Sequence, residues 1–470
     1  MNFYDAKSRR TRALIRFTLY GISAFLIVIL TVILVLVSQG YWIDRSSGQV
    51  IRNGLVFIDS LPHDASIQID DKLQKDRTAA RYTLLEGVHT LNLQKPGYRI
   101  WTKQFTLTGS QVVAYTYARL IPLQLNPKNY AQYGAAPVMS QSPDQRWLLI
   151  SQNATAGTLV FDLYDTNRDP LVATQFSFIV PTGELPVVQS VRWLADNDHM
   201  LVRTLRGATQ EYFVTSRSNP TVVTSINQVF GIVPTNLVPG DTRGDLWYSL
   251  ESSGNVRRLS LVDKVLPSPI ATRVSSISGD QEQVFMTQTD AIDTTKSSVL
   301  LRRKDTQFTL IASVVKTPLC ESGLYTGTRI AVCSVDGRVK VYRNADANSV
   351  AQYDLENGDA ESIVFSPTDR FVAIKSKTSV LVVNFEDEKV SRKDLADTTG
   401  RTLQWFDTFH LLYTTTADQL HIVDYDGDND AALTLTARNG LHLSDRRQER
   451  VISLTPAGTS STLQTTSLVE

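Results

Sequence analysis

Residues 364–385, Val-Phe-Ser-Pro-Thr-Asp-Arg-Phe-Val-Ala-Ile-Lys-Ser-Lys-Thr-Ser-Val-Leu-Val-Val-Asn-Phe, carry the pattern that decides the fold. An apolar pair ends at Phe365, and a polar turn with Ser366, Pro367 and Asp369 follows. Phe371–Ile374 is a second apolar run, and Val380–Val383 a third. Short, β-branched runs bounded by turn residues read as strands, and runs without alternation as strands covered on both faces. The arrangement recurs. Ser142-Pro143-Asp144 precedes Trp147–Ile150, and Val191–Asp196 precedes Met200–Val202. Ile277–Asp280 precedes Val284–Met286, and Leu403–Asp407 precedes His410–Tyr413. Weaker copies lie near Gly240, Gly327 and Ser444. The intervals are about 38–52 residues, the range of four-stranded propeller blades. The pattern predicts a β-propeller of seven or eight blades over 138–470, the last blade completed by a strand near 121–136. A pair of β-sandwiches is the competing architecture.

These blades resemble WD-repeat and TolB-like β-propellers, whose turns often read Phe-Ser-Pro-Asp-Gly. The full motif and the Trp-Asp dipeptide are both missing from this chain. Composition agrees with an all-β chain. Lys+Arg 47 balance Asp+Glu 47, which gives no general attraction to nucleic acid. A hydrophobic share of 42% is too high for disorder, and two cysteines are too few for a disulfide-dense module or a four-ligand zinc site.

Charge is concentrated at the start. Residues 1–16 hold Lys7, Arg9, Arg10, Arg12 and Arg16 against Asp5 alone. Phe17–Val37 then runs without a charge, roughly 30 Å of helix and about one hydrocarbon core. It is too long for the apolar core of a cleaved signal peptide, and no small-residue cleavage site follows. The expected arrangement is a basic tail (1–16) and a transmembrane helix (17–37). The tail would be cytoplasmic and the rest extracytoplasmic, in the plasma membrane, with Tyr41 and Trp42 at the interface.

Between anchor and repeats, Ala65, Ile67 and Ile69 alternate with polar residues, as do His89, Leu91 and Leu93. Turn signals stand at Asp70-Asp71, Glu86-Gly87 and Lys95–Tyr98. His89 falls on an apolar face and reads as a packed histidine. Ser60-Leu61-Pro62, Ile67–Asp70, Thr78, Glu86–His89 and Lys95-Pro96-Gly97-Tyr98 resemble the PEGA domain, placed at 50–121 as a small β-sandwich. Pro62-His63-Asp64-Ala65 stands where Pro-Glu-Gly-Ala would, and Ala79 replaces a proline. The resemblance implies a cell-envelope module for attachment or interaction, without catalytic residues.

No catalytic residue and no cofactor emerge. The histidines are scattered, and no zinc-protease, nucleophile-elbow, P-loop or dinucleotide motif is present. Asp424, Asp426, Asp428 and Asp430 alternate as Ca²⁺ ligands could, but Leu435 stands where a closing glutamate belongs. A charged hairpin tip is the other reading. Asn153-Ala154-Thr155 is a lone glycosylation sequon, while Arg302-Arg303-Lys304 and Asp445–Arg450 read as solvated turns.

Cys320 and Cys333 flank two strands around Thr326-Gly327. A two-residue turn there sets Tyr325 opposite Thr328 and Cys320 opposite Cys333, with Cα atoms about 4.5 Å apart. A disulfide tolerates about 4.4–6.8 Å. Two buried free thiols are the alternative. The function expected is a non-catalytic envelope protein whose propeller binds a protein or a surface glycan. An enzyme with its site at the channel mouth and a purely structural component are the alternatives. An acid or histidine cluster at the mouth would favour the enzyme, and an apolar patch would favour binding.

Overall fold

The computed structural model describes residues 6–38, 41–43, 50–134, 137–152, 157–181, 185–280, 283–303, 308–315, 318–344, 350–394, 401–435 and 442–469. The chain divides into two compact units, Met1–Gln124 and Leu125–Val469.

The first unit begins with a helix over Ala6–Ser38. Its segment Ile15–Leu36 has a mean hydropathy of 2.8 and is long and apolar enough to cross a membrane, the one such helix among the described residues. Side chains such as Phe17, Phe25 and Leu30 are exposed. Apolar residues around the whole circumference suit lipid rather than a protein core.

The rest of this unit is two four-stranded sheets. Val50–Leu61 lies between antiparallel Ala80–Leu85 and parallel Val112–Arg119, with Tyr41–Ile43 extending it. The second sheet runs Lys72–Arg77, Ser66–Ile69, Gly87–Gln94, Trp101–Leu107. Ile67, Leu91, Leu93 and Trp101 fill the core between the sheets with Val56 and Ile58. Asp70 and Asp71 both take positive φ (47° and 62°), the two-residue turn that suits a hairpin and that aspartate tolerates. His89 packs on Phe105 with ring centroids 5.7 Å apart. Its Nδ1 lies 2.7 Å from the Asp70 carboxylate and its Nε2 2.8 Å from Leu85 O, so it ties two turns together.

The second unit contains eight antiparallel sheets among the described residues, at 139–179, 187–225, 234–260, 274–314, 319–356, 362–394, 403–435 and 442–467. They are blades 1 to 8 of a β-propeller. Blade 3 has three described strands, and the others have four. A blade is apolar on both faces, so each must be covered by a neighbour. Phe161, Phe176 and Phe178 of blade 1 meet Trp193, Met200 and Phe213 of blade 2. Equivalent clusters lie between blades 2 and 3, 3 and 4, 4 and 5, 5 and 6, and 6 and 7. Met139, Leu148 and Ile150 of blade 1 meet Leu443, Ile452, Leu454 and Leu463 of blade 8, which closes the ring.

The closing blade takes strands from both ends of the unit. Lys128–Tyr133 pairs antiparallel with Ser460–Ser467 as its outermost strand. The propeller therefore starts before residue 138, because that strand fills the outer edge of the C-terminal sheet. Asp445–Arg450 also departs from expectation. Asp445 is fully buried and accepts the backbone N–H groups of Glu449 and Arg450 and the Arg450 Nε. Arg450 reaches back to Thr166 O and Arg168 O of blade 1. Arg450 is a structural clasp because its guanidinium donates to those carbonyls, whereas Arg446 and Arg447 are exposed as a solvated turn would have them.

In blades 2, 3 and 7 the recurrent aspartate has the same physical role. Its carboxylate accepts backbone N–H groups of the turn between a blade's first two strands. Asp196 takes those of Asp198 and His199, Asp241 those of four residues from Arg243 to Leu246, and Asp407 those of Phe409 and His410. These donors have no strand partner, and a carboxylate satisfies several at once.

Closure supplies a test. The Tyr133 hydroxyl donates to Asp162 at 2.7 Å and sits 2.6 Å from the Tyr164 hydroxyl, joining the outermost strand of blade 8 to blade 1. Tyr133→Phe should lower the stability of the propeller by about 1–3 kcal/mol by removing the hydroxyl that Asp162 Oδ2 and the Tyr164 hydroxyl share. A thermal melt with no change in the propeller transition would contradict this role.

Candidate functional site: the channel mouth

The first strand of each blade lines the central channel, and side chains stitch neighbouring first strands together. Ser140 Oγ donates to Val191 O, Asn236 Nδ2 to Ile277 O and Ser278 Oγ to Cys320 O. Gln141 Nε2 donates to Ser444 O and Trp405 Nε1 to Val364 O. Arg192 Nη2 reaches Gly279 O, from blade 2 to blade 4.

A cavity of about 490 Å³ opens in this channel, walled by blades 1, 2, 6, 7 and 8. One side carries amides and hydroxyls, Gln141, Gln189 and Ser190, while Phe365 and Trp405 give the other an apolar character. None of the residues lining it is ionisable. The wall can thus donate and accept hydrogen bonds without a group that takes up or releases a proton near neutrality. Close packing fixes it: a Cβ on Gly323 would lie 2.6 Å from the Phe365 ring, so glycine is needed beside that wall.

Three blades depart from regular pairing at the same end of their first strands. Register shifts fall between Val188 and Ser190, between Pro234 and Asn236, and between Val274 and Ser276. The intervening residues are Gln189, Thr235 and Ser275. Such bulges bend an inner strand and re-aim side chains at its rim. Gln189 is exposed there.

The titratable clusters lie in the blade turns. His410 is buried, with Nδ1 2.8 Å from Asp407 and Nε2 3.3 Å from Asp424. Burial opposes its charge, but the two carboxylates outweigh it and raise its pKa to about 9. Asp424 also accepts from Asn429 Nδ2 at 2.8 Å. His442 is buried beside the Thr414 hydroxyl without an acid, and desolvation lowers its pKa to about 4.

This placement separates the four candidate Ca²⁺ ligands. Asp424 turns inward to His410, whereas Asp430 takes the Tyr413 hydroxyl at 2.5 Å and His421 Nδ1 at 2.9 Å. Asp426 accepts the Asp428 N–H, and the turn closes as Asp424 N–H donates to Asp428 O. Among the described residues no three His, Cys, Asp or Glu side chains are gathered as a metal would require. Cys320 and Cys333 face each other across two strands, in register with Tyr325 opposite Thr328. Their Cα atoms are 4.2 Å apart and their sulfurs are bonded. The sequon at Asn153 and the Arg302-Arg303-Lys304 side chains lie outside the described residues.

Residues 53–120 match the PEGA domain. The chain carries a PEGA domain. The C-terminal WD40 domain of Sif2 is similar to the propeller, with a TM-score of 0.51 at 10% identity, covering 73% of this chain and 99% of that one. At that identity the likeness concerns fold alone. No curated protein sequence matches this chain. The chain thus joins one helix long and apolar enough to cross a membrane, a PEGA domain and a propeller of WD40-like fold.

The channel residues Gln141, Gln189, Ser190 and Gln404 formed no motif in the sequence. The one local signal was Val187-Val188-Gln189-Ser190-Val191, where two adjacent polar residues interrupt an apolar strand.

The His410 cluster predicts a pH dependence. Its folded pKa lies above the ordinary value of 6.5, so its stabilisation is full below about pH 6.5 and is lost as pH rises through about 9. The propeller melting temperature should fall across that interval, and His410→Gln should flatten that part of the profile. An unchanged slope in the variant would remove the assignment.

Proposed function

We propose that this chain is a membrane-anchored scaffold of the cell envelope, and that its propeller presents the channel mouth to a protein partner or a surface glycan. The uncharged, hydrogen-bonding lining of the cavity at the channel mouth carries this reading. It can pair with neutral amide or hydroxyl groups of an inserted segment at little desolvation cost, and it offers no acid or base for catalysis. The five cations before the helix support an N-terminus in the cytoplasm, with the PEGA domain and propeller outside. In this reading Asp424–Asp430 is a structural turn that functions without a bound cation.

A photocrosslinking residue at Gln189, in protein from its own cells, should give a discrete adduct absent when the same group replaces Val350. Val350 is 88% exposed and does not line the channel cavity. Equal, diffuse crosslinking from both positions would argue against the mouth as the binding face.

Topology has a separate readout. Protease added to intact spheroplasts should digest the propeller, and non-reduced protein from those membranes should yield no alkylatable thiol. A protected propeller with two free thiols would place it in the cytosol, where disulfides are rare.

A further inference from the structure

On the rim of the same propeller, blades 3 and 4 enclose a second cleft of about 650 Å³. Six of its thirteen lining residues are serine or threonine, and none is aromatic. Two inner-strand bulges, at Thr235 and Ser275, turn residues into it.

Arg273 is the cation of this cleft, and its backbone is held in an unusual conformation. Its φ is 58°, the left-handed region that a long side chain seldom adopts. Three hydrogen bonds fix the surrounding chain: Val274 N–H to Gly254 O at 2.9 Å, Thr289 N–H to Arg273 O at 2.9 Å, and Gln288 Nε2 to Thr272 O at 2.8 Å. Gly254 permits this approach. A Cβ there would lie 3.3 Å from Arg273 Cα and Val274 N, and its own φ is +77°. Arg273 Nε donates to Thr289 O at 3.4 Å. Among the described residues its two terminal nitrogens have no hydrogen bond or ion pair, so the end of the guanidinium fork is available.

Asp290 lies near enough for the Arg273 charge to help lower its pKa, yet no acidic group of the cleft forms an ion pair with the fork among the described residues. Glu251 is engaged by Arg257 at 2.5 Å. Asp290 Oδ1 accepts the N–H groups of Ile292 and Asp293 at 2.8 and 2.9 Å, which hold its carboxyl below the usual range. Its Oδ2 stays open as an acceptor. A fitting ligand therefore offers an oxyanion to Arg273, a hydroxyl donor to Asp290, and further hydroxyls to the serine and threonine side chains. A planar carboxylate suits the guanidinium fork.

We propose that the cleft between blades 3 and 4 binds a carboxylate-bearing sugar, a uronic acid unit free or within an acidic glycan. The site is distinct from the channel mouth and does not rest on the function proposed for it.

Calorimetry of the full chain in detergent micelles, with glucuronate, glucose, inorganic phosphate and glycine as separate probes, tests the proposal. Glucuronate should bind saturably, and glucose roughly tenfold or more weakly for want of the charge-assisted bonds. Arg273→Asn removes the guanidinium but keeps a residue at ease with positive φ, and should weaken glucuronate by a similar factor. If that variant does not fold, Arg273→Lys, which keeps charge but not the fork, should weaken it by a smaller factor. Thr294→Val should weaken it a few-fold. Phosphate binding as tightly as glucuronate would reduce the cleft to a bare oxyanion site and overturn the sugar. Equal affinity for glycine would do the same in favour of a zwitterion. Absence of saturable heat with glucuronate at millimolar concentration, or no change in a folded Arg273 variant, would overturn the site altogether.

Discussion

A sheet that is apolar on both faces has no stable edge to its stack: every blade exposes a face until another covers it. Seven blades of this propeller would leave one face of the first and one of the last to water. The ring is the arrangement in which that cost vanishes, and its closing contact is therefore the constraint on which the other blades depend. Here Leu443, Ile452 and Leu454 of blade 8 supply the cover for Leu148 and Ile150 of blade 1. The strand Lys128–Tyr133 binds that last blade to the start of the unit. Arg450 and Tyr133 add polar clasps across the same seam. Those clasps use buried groups with several partners each, since a buried donor left alone would cost more than the bond returns.

Blade 8 shows how one strand can serve two different neighbours. Along 451–455, Ile452 and Leu454 point to blade 1, while Ser453 stands with His442 on the opposite face. There His442 meets Thr414 of blade 7, and burial keeps the imidazole neutral to about pH 4. In blade 7, by contrast, His410 is buried between two carboxylates and carries a charge well above neutrality. The same side chain is thus neutral in one seam and charged in a neighbouring turn, and the difference lies wholly in whether an acid is beside it.

The blades were legible in the sequence because each needs the same local solution: two covered strands joined by a tight turn whose N–H groups require an acceptor. That requirement puts an Asp after an apolar run at Asp196, Asp241, Asp407 and Asp445, in four of the eight blades. The pairing of Cys320 with Cys333 was legible for a similar reason, since a two-residue turn fixes register. What the local pattern does not encode is the direction in which a polar side chain turns once the ring forms. Asp424 and Asp430 look alike in the sequence, yet one enters the blade and the other caps Tyr413 and His421 at the rim. Asp445 and Arg450 read as solvated because charge runs usually are, and only the carbonyls of blade 1, distant in the chain, make them buried. The channel wall was illegible for the same cause. Gln141, Gln189 and Gln404 come from three blades, and no spacing relates them.

Charge in this unit is spent on holding turns and seams, and that bears on what its surfaces can recognise. Aspartates that cap backbone N–H groups, or pair with a histidine or arginine, have little capacity left for a ligand. The cavity at the channel mouth is lined by neutral residues, so selectivity there must come from shape and from matching amide or hydroxyl groups, and it should depend little on salt. Arg273 differs from the clasping arginines in kind. Arg450 directs its nitrogens to Asp445 and two carbonyls, whereas Arg273 commits only Nε and sits on a backbone the surrounding turns hold at positive φ. The conformation persists because three hydrogen bonds from adjacent strands oppose its relaxation, and the result is a fixed cation over a hydroxyl-lined cleft, a preorganised geometry that a flexible surface lysine could not give.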